Sequence, residues 1–135
     1  MGIAQLAIDS IWDKIGQIDS EFKFGTPAKN KPFRLSVTGH GQDSLTILTS
    51  ENNPVTIRKQ AFENALVYLL SHGHVNRESA CSIAANKVRE NAGPLSQSTH
   101  AQNEPMNITY VLPILKHMGL VGIEPAKPSS TWLVI

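Results

Sequence analysis

A single cysteine, Cys81, occurs in the 135 residues, which excludes an internal disulfide and fits a reducing compartment. It lies in SACSIAANK, among small and apolar neighbours, the setting of a buried structural thiol rather than of a nucleophile. Long apolar runs are missing as well: nothing approaches the ~20 residues needed to cross a bilayer. The first residues, MGIAQLAIDS, hold no basic stretch ahead of a long apolar block, so no secretory signal is expected. Leu6 stands where a myristoylation signal wants Ser or Thr. A cytoplasmic protein is the expectation. A strong charge of one sign is lacking too, the net value being +1, and this counts against a strongly basic, nonspecific nucleic-acid binder.

What is present is ordinary for a folded chain. A hydrophobic content of 41% against 17% charged residues argues for a globular domain rather than disorder, and the length suffices for one core without staples. Charge is mildly uneven. Residues 1–21 carry four acids against Lys14, a net −3, and the rest carry eleven Lys and Arg against seven acids, a net +4.

From Ile3 to Ile18, Ile3, Leu6, Ala7, Ile11, Trp12, Ile15 and Ile18 follow helical steps, with Ile8 widening the stripe and Gln5, Asp9, Asp13 and Gln17 opposite. This amphipathic helix packs either on its own domain or on a second copy; periodicity does not choose. Phe22 to Pro32 is loop-like, broken by Gly25, Pro27 and Pro32, and it brings Lys23, Lys29 and Lys31 close to Arg34. It is either a solvated connection or a basic loop that lies along phosphates. Phe33, Leu35 and Val37 alternate with polar residues, as do Leu45 and Ile47 beyond GHGQDS, so a β-hairpin is expected, with a further short strand at Val55–Ile57.

Arg58–His72 reads as a helix burying Ala61, Phe62, Ala65, Leu66, Leu69 and Leu70, and Gly73 ends it. A second helix is expected over Asn76–Asn91, capped by Asn76 and stopped by Gly93 and Pro94. Residues 93–106 read as a long polar connection. In Asn107–Met118 the apolar residues Ile108, Val111, Leu112, Leu115 and Met118 again keep helical spacing. Pro113 there implies a kink or a late start. Gly119 suits a left-handed cap. Leu120–Ile123 and Thr131–Ile135 are short β-type runs around the turn PAKPSS.

Helix, short strand, polar turn and short strand, after two further helices, resemble the winged helix-turn-helix superfamily over about residues 58–135. The expected fold is therefore α+β: an N-terminal amphipathic helix and β-hairpin (residues 1–57), packed on a three-helix winged-helix domain with a C-terminal β-wing (residues 58–135). The resemblance implies that the third helix enters the major groove of duplex DNA, where polar side chains read base edges. Its outward residues would be Asn107, Thr109, Tyr110, Lys116 and His117, with Lys127 in the wing turn on a phosphate and Ser96–His100 adding contacts. Each has a plainer reading: Tyr110 packs on the domain, and Lys116 and His117 complement a helix C-terminus.

His72-Gly73-His74 pairs two imidazoles, but no nearby carboxylate or cysteine completes a metal-ligand pattern, and His40, His100 and His117 are scattered. Gly39-His40-Gly41 lacks the Lys and Ser/Thr of a phosphate loop and suits a hairpin turn. No nucleophile elbow or carboxylate pair stands out, so neither an enzyme nor a cofactor is expected. Two functions remain. One is a DNA-binding protein, as in transcription regulation, with dimerisation through the N-terminal helix. The other is a protein-interaction module built on a winged helix, in which the Ile3–Ile18 helix and the hairpin edge make the contacts.

Overall fold

In the computed structural model, residues 2–36, 40–85, 92–100, 104, 106–126 and 129–134 are described. The chain is mixed α+β. Helix α1 (Ile3–Gly16) leads into strands β1 (Phe24–Gly25), β2 (Pro32–Leu35), β3 (Ser44–Leu48) and β4 (Pro54–Arg58). Then come α2 (Lys59–Ser71), a 3₁₀ turn at Arg77–Ser79, β5 (Cys81–Ser82), α3 (Pro94–Thr99), α4 (Ile108–His117), β6 (Val121–Glu124) and β7 (Ser130–Leu133). Two antiparallel sheets result, one ordered β1-β2-β3-β4 and the other β5-β7-β6.

The expected amphipathic helix is α1, and its inner face (Ala4, Ile8, Ile11, Trp12, Ile15) is buried within its own chain. Trp12 does most to hold it. The indole meets Phe62 of α2 edge-on at 5.6 Å, and its Nε1–H donates to the Gly41 carbonyl at 2.7 Å. His40 returns a bond from Nε2 to the Trp12 carbonyl at 2.9 Å, so α1 and the β2–β3 connection are latched in both directions. Lys59 of α2 pairs with Asp9 on the outer side of α1.

The hairpin expected from alternation is present as β2–β3, and the short strand at Val55–Ile57 lies within β4. Leu45↔Ile57 and Ile47↔Val55 are cross-strand pairs, and Phe33, Leu35, Leu45, Ile47 and Ile57 point into the core. On the other face Thr46 and Thr56 join their hydroxyls at 3.1 Å. The segment expected as a plain loop at Phe22–Pro32 contains β1, which pairs Phe24 with Phe33.

Helices α2 and α4 end alike. Gly73 (φ +74°) and Gly119 (φ +81°) take the left-handed conformation, where a side chain would be strained. The His74 N–H then bonds back to the Leu69 carbonyl and the Leu120 N–H to that of Leu115, with shorter closures at Gly73 and Gly119, giving two Schellman caps.

One helix expectation fails. Instead of a helix over Asn76–Asn91, the Asn76 side chain accepts the Ser79 N–H and closes a single 3₁₀ turn. The chain then extends, and Cys81 and Ser82 pair with Thr131 and Ser130 of β7. Ala84 has φ +44°, incompatible with a helix interior, and its carbonyl accepts the Gly93 N–H. Residues 86–91 lie outside the described residues. A helix appears where a polar connection was expected: α3 begins at Pro94, whose fixed φ and missing N–H suit the first turn of a helix as well as they break an interior. Its residues Leu95, Ser96 and Thr99 are buried.

Pro113 sits inside α4, which starts five residues earlier at Ile108, so a late start is not what accommodates it. The ring removes the N–H that would have bonded the Thr109 carbonyl. It is itself buried, as are Ile108, Val111, Leu112, Ile114 and Leu115. A single buried cluster runs from Ala4 through Phe33, Ile47, Phe62 and Leu112 to Leu133, so residues 1–57 and 58–135 share a core. Each large side chain in it contributes about 1.5–3 kcal/mol relative to exposure.

Candidate functional site

The candidate site is the groove along α4. The cause of its shape lies in the β1–β2 turn. Thr26 braces that turn by exchanging backbone bonds with Lys31 and Asn30 and accepting the Lys31 N–H on its hydroxyl at 2.9 Å. Asn30 adopts φ +49°, and its side-chain oxygen lies 1.9 Å from where a Cβ on residue 25 would stand, so a larger residue at Gly25 would have to displace the Asn30 side chain. The braced turn holds Lys29 and Lys31 exposed beside α4.

Two connected clefts flank this turn, sharing Thr26, Pro27 and Ala28. The larger, about 810 Å³, is lined by the turn, by Ser82–Ala85 and Ser129, and by Met106, Thr109 and Tyr110. The smaller, about 560 Å³, continues past Pro113, Lys116 and His117 toward Ile123 and Pro125. Lys23, Lys29, Lys31 and Lys116 are on these linings, and no carboxylate is, among the described residues. The ion pairs found among the described residues engage Arg58, Lys59 and Arg77 and leave these four lysines unmatched.

The residues expected to read DNA are distributed differently from the expectation. Asn107 is 4% exposed, its Nδ2 donating to the Thr99 carbonyl at 3.2 Å, so it does not present an edge to solvent. It lies where α4 begins against α3, a crowded corner rather than an outward face. Among the described residues its Oδ1 has no partner, nor does the hydroxyl of the fully buried Ser96. Thr99 and His100 are buried too, so of the expected contacts from Ser96–His100 only the half-buried Gln97 and Ser98 remain accessible. Thr109 is half-buried, its hydroxyl toward the Met106 sulfur at 3.7 Å. Tyr110 packs edge-on against Phe33 at 5.1 Å, the plainer of its two readings. His117 is exposed at one side while Phe22 (4.8 Å) and Phe24 (5.6 Å) approach its ring. Lys116 is exposed in the smaller cleft. Lys127 lies outside the described residues. The structure thus brings Thr109, Tyr110, Lys116 and His117 to one groove and removes Asn107 from it.

Sequence reasoning missed the wall. Lys23, Lys29 and Lys31 were visible as a basic loop, but nothing in their spacing places that loop over α4. The aromatic residues Phe22, Phe24 and Phe33 were the available signal, since such a cluster must cover something.

Elsewhere the polar clusters have structural explanations. His72 and His74 each donate Nδ1–H to a backbone carbonyl, of Tyr68 at 3.0 Å and of Ser79 at 2.6 Å, because a carbonyl oxygen only accepts. Their rings stack near Tyr68, and no group of three or more His, Cys, Asp or Glu among the described residues is placed to hold a metal ion. Burial pushes the Cys81 thiol up from its ordinary value, away from the thiolate a nucleophile needs. Among the described residues no helix is long and apolar enough to cross a membrane. In the β6–β7 hairpin, Trp132 lies across Gly122, where any Cβ would meet its ring at 2.5 Å, and Arg77 reaches over it to pair with Glu124 at 2.6 Å.

No family model, curated protein or solved structure matches the chain, so the class to which it can be assigned is the mixed α+β one its own topology defines.

Proposed function

We propose that α2–β5–α3–α4–β6–β7 is a winged helix and that the protein binds DNA through phosphates. The element order, with the strand order β5-β7-β6 and a β6–β7 hairpin after the third helix, supports the winged-helix reading. The observation that carries DNA binding is the set of four lysines, Lys23, Lys29, Lys31 and Lys116, along a groove where, among the described residues, no carboxylate lines it and no ion pair engages them. In this reading α4 is the scaffold of the groove, and the contacts come from its C-terminal end and from the β1–β2 turn rather than from Asn107. A role in transcription regulation is compatible with such contacts.

The test is DNA affinity as a function of salt, with Lys29→Ala/Lys31→Ala and Lys116→Ala beside the native chain. Affinity should fall steeply with salt, and each lysine removed from a phosphate should lower the slope by about one. Absence of binding at low salt, or identical slopes in all three proteins, refutes the reading.

A second reading, protein recognition, has its own observation. Ile3 (69% exposed) and Leu6 of α1, with Val67 and Leu70 of α2, leave an apolar surface uncovered at the opposite side of the helical layer. Aspartate substitutions there that abolish self-association, with DNA affinity unchanged, would favour it.

A further inference from the structure

The shape of the α4 groove says more than its charge. We propose that the groove takes an unpaired DNA strand, its bases against the half-buried Tyr110 and Met106 and its phosphates on Lys29 and Lys31. This rests on the DNA-binding reading and specifies which form of DNA the same site accepts.

A helix that reads duplex DNA must stand proud of its domain, because the major groove closes around it on both sides. Here the relation is reversed. Helix α4 shares the lining of these clefts with the β1–β2 turn, the β5 end and Ser129. Six of the ten helix residues are buried, and the Phe33 contact occupies one edge of Tyr110. A helix of ten residues spans about 15 Å, enough for a short stretch of strand to lie along it.

The lining matches what an unpaired strand offers. Single-strand grooves combine cations that follow the backbone with flat or apolar side chains on which bases lie. The larger cleft supplies the first with Lys29 and Lys31 and the second with Tyr110 and Met106. Hydroxyls of Thr26, Ser82 and Ser129 are available to base edges and phosphates. Absence of carboxylates from the described lining removes the repulsion that would oppose a polyanion.

The experiment uses the full chain and two fluorescent probes at one low salt concentration: a 20-nucleotide oligothymidine and a 20-base-pair random duplex. The single strand should bind at least tenfold more tightly. Oligothymidine carrying 5-iodouracil, irradiated in the complex, should cross-link to the peptide that contains Met106 and Tyr110, a readout that needs no variant to fold. Lys29→Ala/Lys31→Ala, both exposed positions, should weaken the single-strand complex about tenfold with an unchanged far-ultraviolet spectrum. Equal or tighter duplex binding, or a cross-link that maps to Trp132 or Trp12 instead, overturns this inference and leaves the DNA-binding reading standing. Failure of both probes overturns both.

Discussion

Helices α1 and α4 are near equivalents in sequence and opposites in the folded protein. Each carries an apolar stripe at three- and four-residue steps. Helix α1 is covered on one side, so that even two of its large apolar residues, Ile3 and Leu6, remain exposed. Helix α4 is covered by its own bundle and again by the aromatic edge of the first sheet, through Phe24 near His117 and Phe33 on Tyr110. A stripe reports the smallest face a helix must bury; it says nothing of what arrives later over the remainder. That difference turns the helix that the winged-helix resemblance assigns to base reading into part of the lining of a groove.

The sharpest way to break this comparison is to cut one leucine from each helix. Leu112→Ala removes a side chain with no exposed area from the middle of α4, and should cost about 2–5 kcal/mol, the range for cavities that neighbours cannot refill. Leu6→Ala on α1 should change stability by no more than about 0.5 kcal/mol, since its side chain is largely in solvent. Urea unfolding of the two variants measures both. Similar losses would mean that α1 is buried in solution against something else, a second copy being the first candidate.

The comparison also shows what could be read in advance. The two long helices, the β2–β3 hairpin, the glycine caps and the closing β6–β7 pair follow from local periodicity and from residues whose backbone preferences are strong. Over its described part, residues 76–85, the helix expected at Asn76–Asn91 failed because Asn76 caps any helical start equally well, and the pairing of Cys81 with Thr131, fifty residues away, decided the outcome. The helix at Pro94–Thr99 was hidden because Gly-Pro is a stop signal and a start signal at once. For the site, Lys116, Tyr110 and the basic loop were legible one by one. Their meeting was not, since it depends on how the first sheet packs across α4, and no short-range pattern encodes that.

A smaller effect separates the two accounts of Asn107. If it reads bases, Asn107→Ala should lower DNA affinity and leave stability alone. The buried position requires the reverse. The substitution removes the donor to the Thr99 carbonyl, worth about 1 kcal/mol, while deleting the unpartnered Oδ1 offsets part of the loss. Stability should fall by about 1 kcal/mol or less and affinity for DNA should stay within twofold. An affinity loss of tenfold at unchanged stability would reopen this end of α4 as a contact surface.

The smallest effect probes how far the enclosure around α4 extends, at β5 beyond the larger cleft. Burial raises the Cys81 thiol above its ordinary pKa, and the Tyr68 phenol is raised as well, first by burial and then by the Cys81 charge. For a group with a raised folded-state pKa, the folded protein holds the proton more tightly than the unfolded chain. Its stabilisation is therefore complete below the unfolded value, about 8.5 for a thiol, and is lost as pH rises toward the folded one. Stability should decline from about pH 8.5 upward, and Cys81→Ala should flatten that decline while costing some packing at every pH. A thiol reagent at pH 8 should modify the native chain far more slowly than the urea-unfolded one. Rapid native labelling would show that β5 opens readily, and the wall it lends to the groove would then be a mobile one.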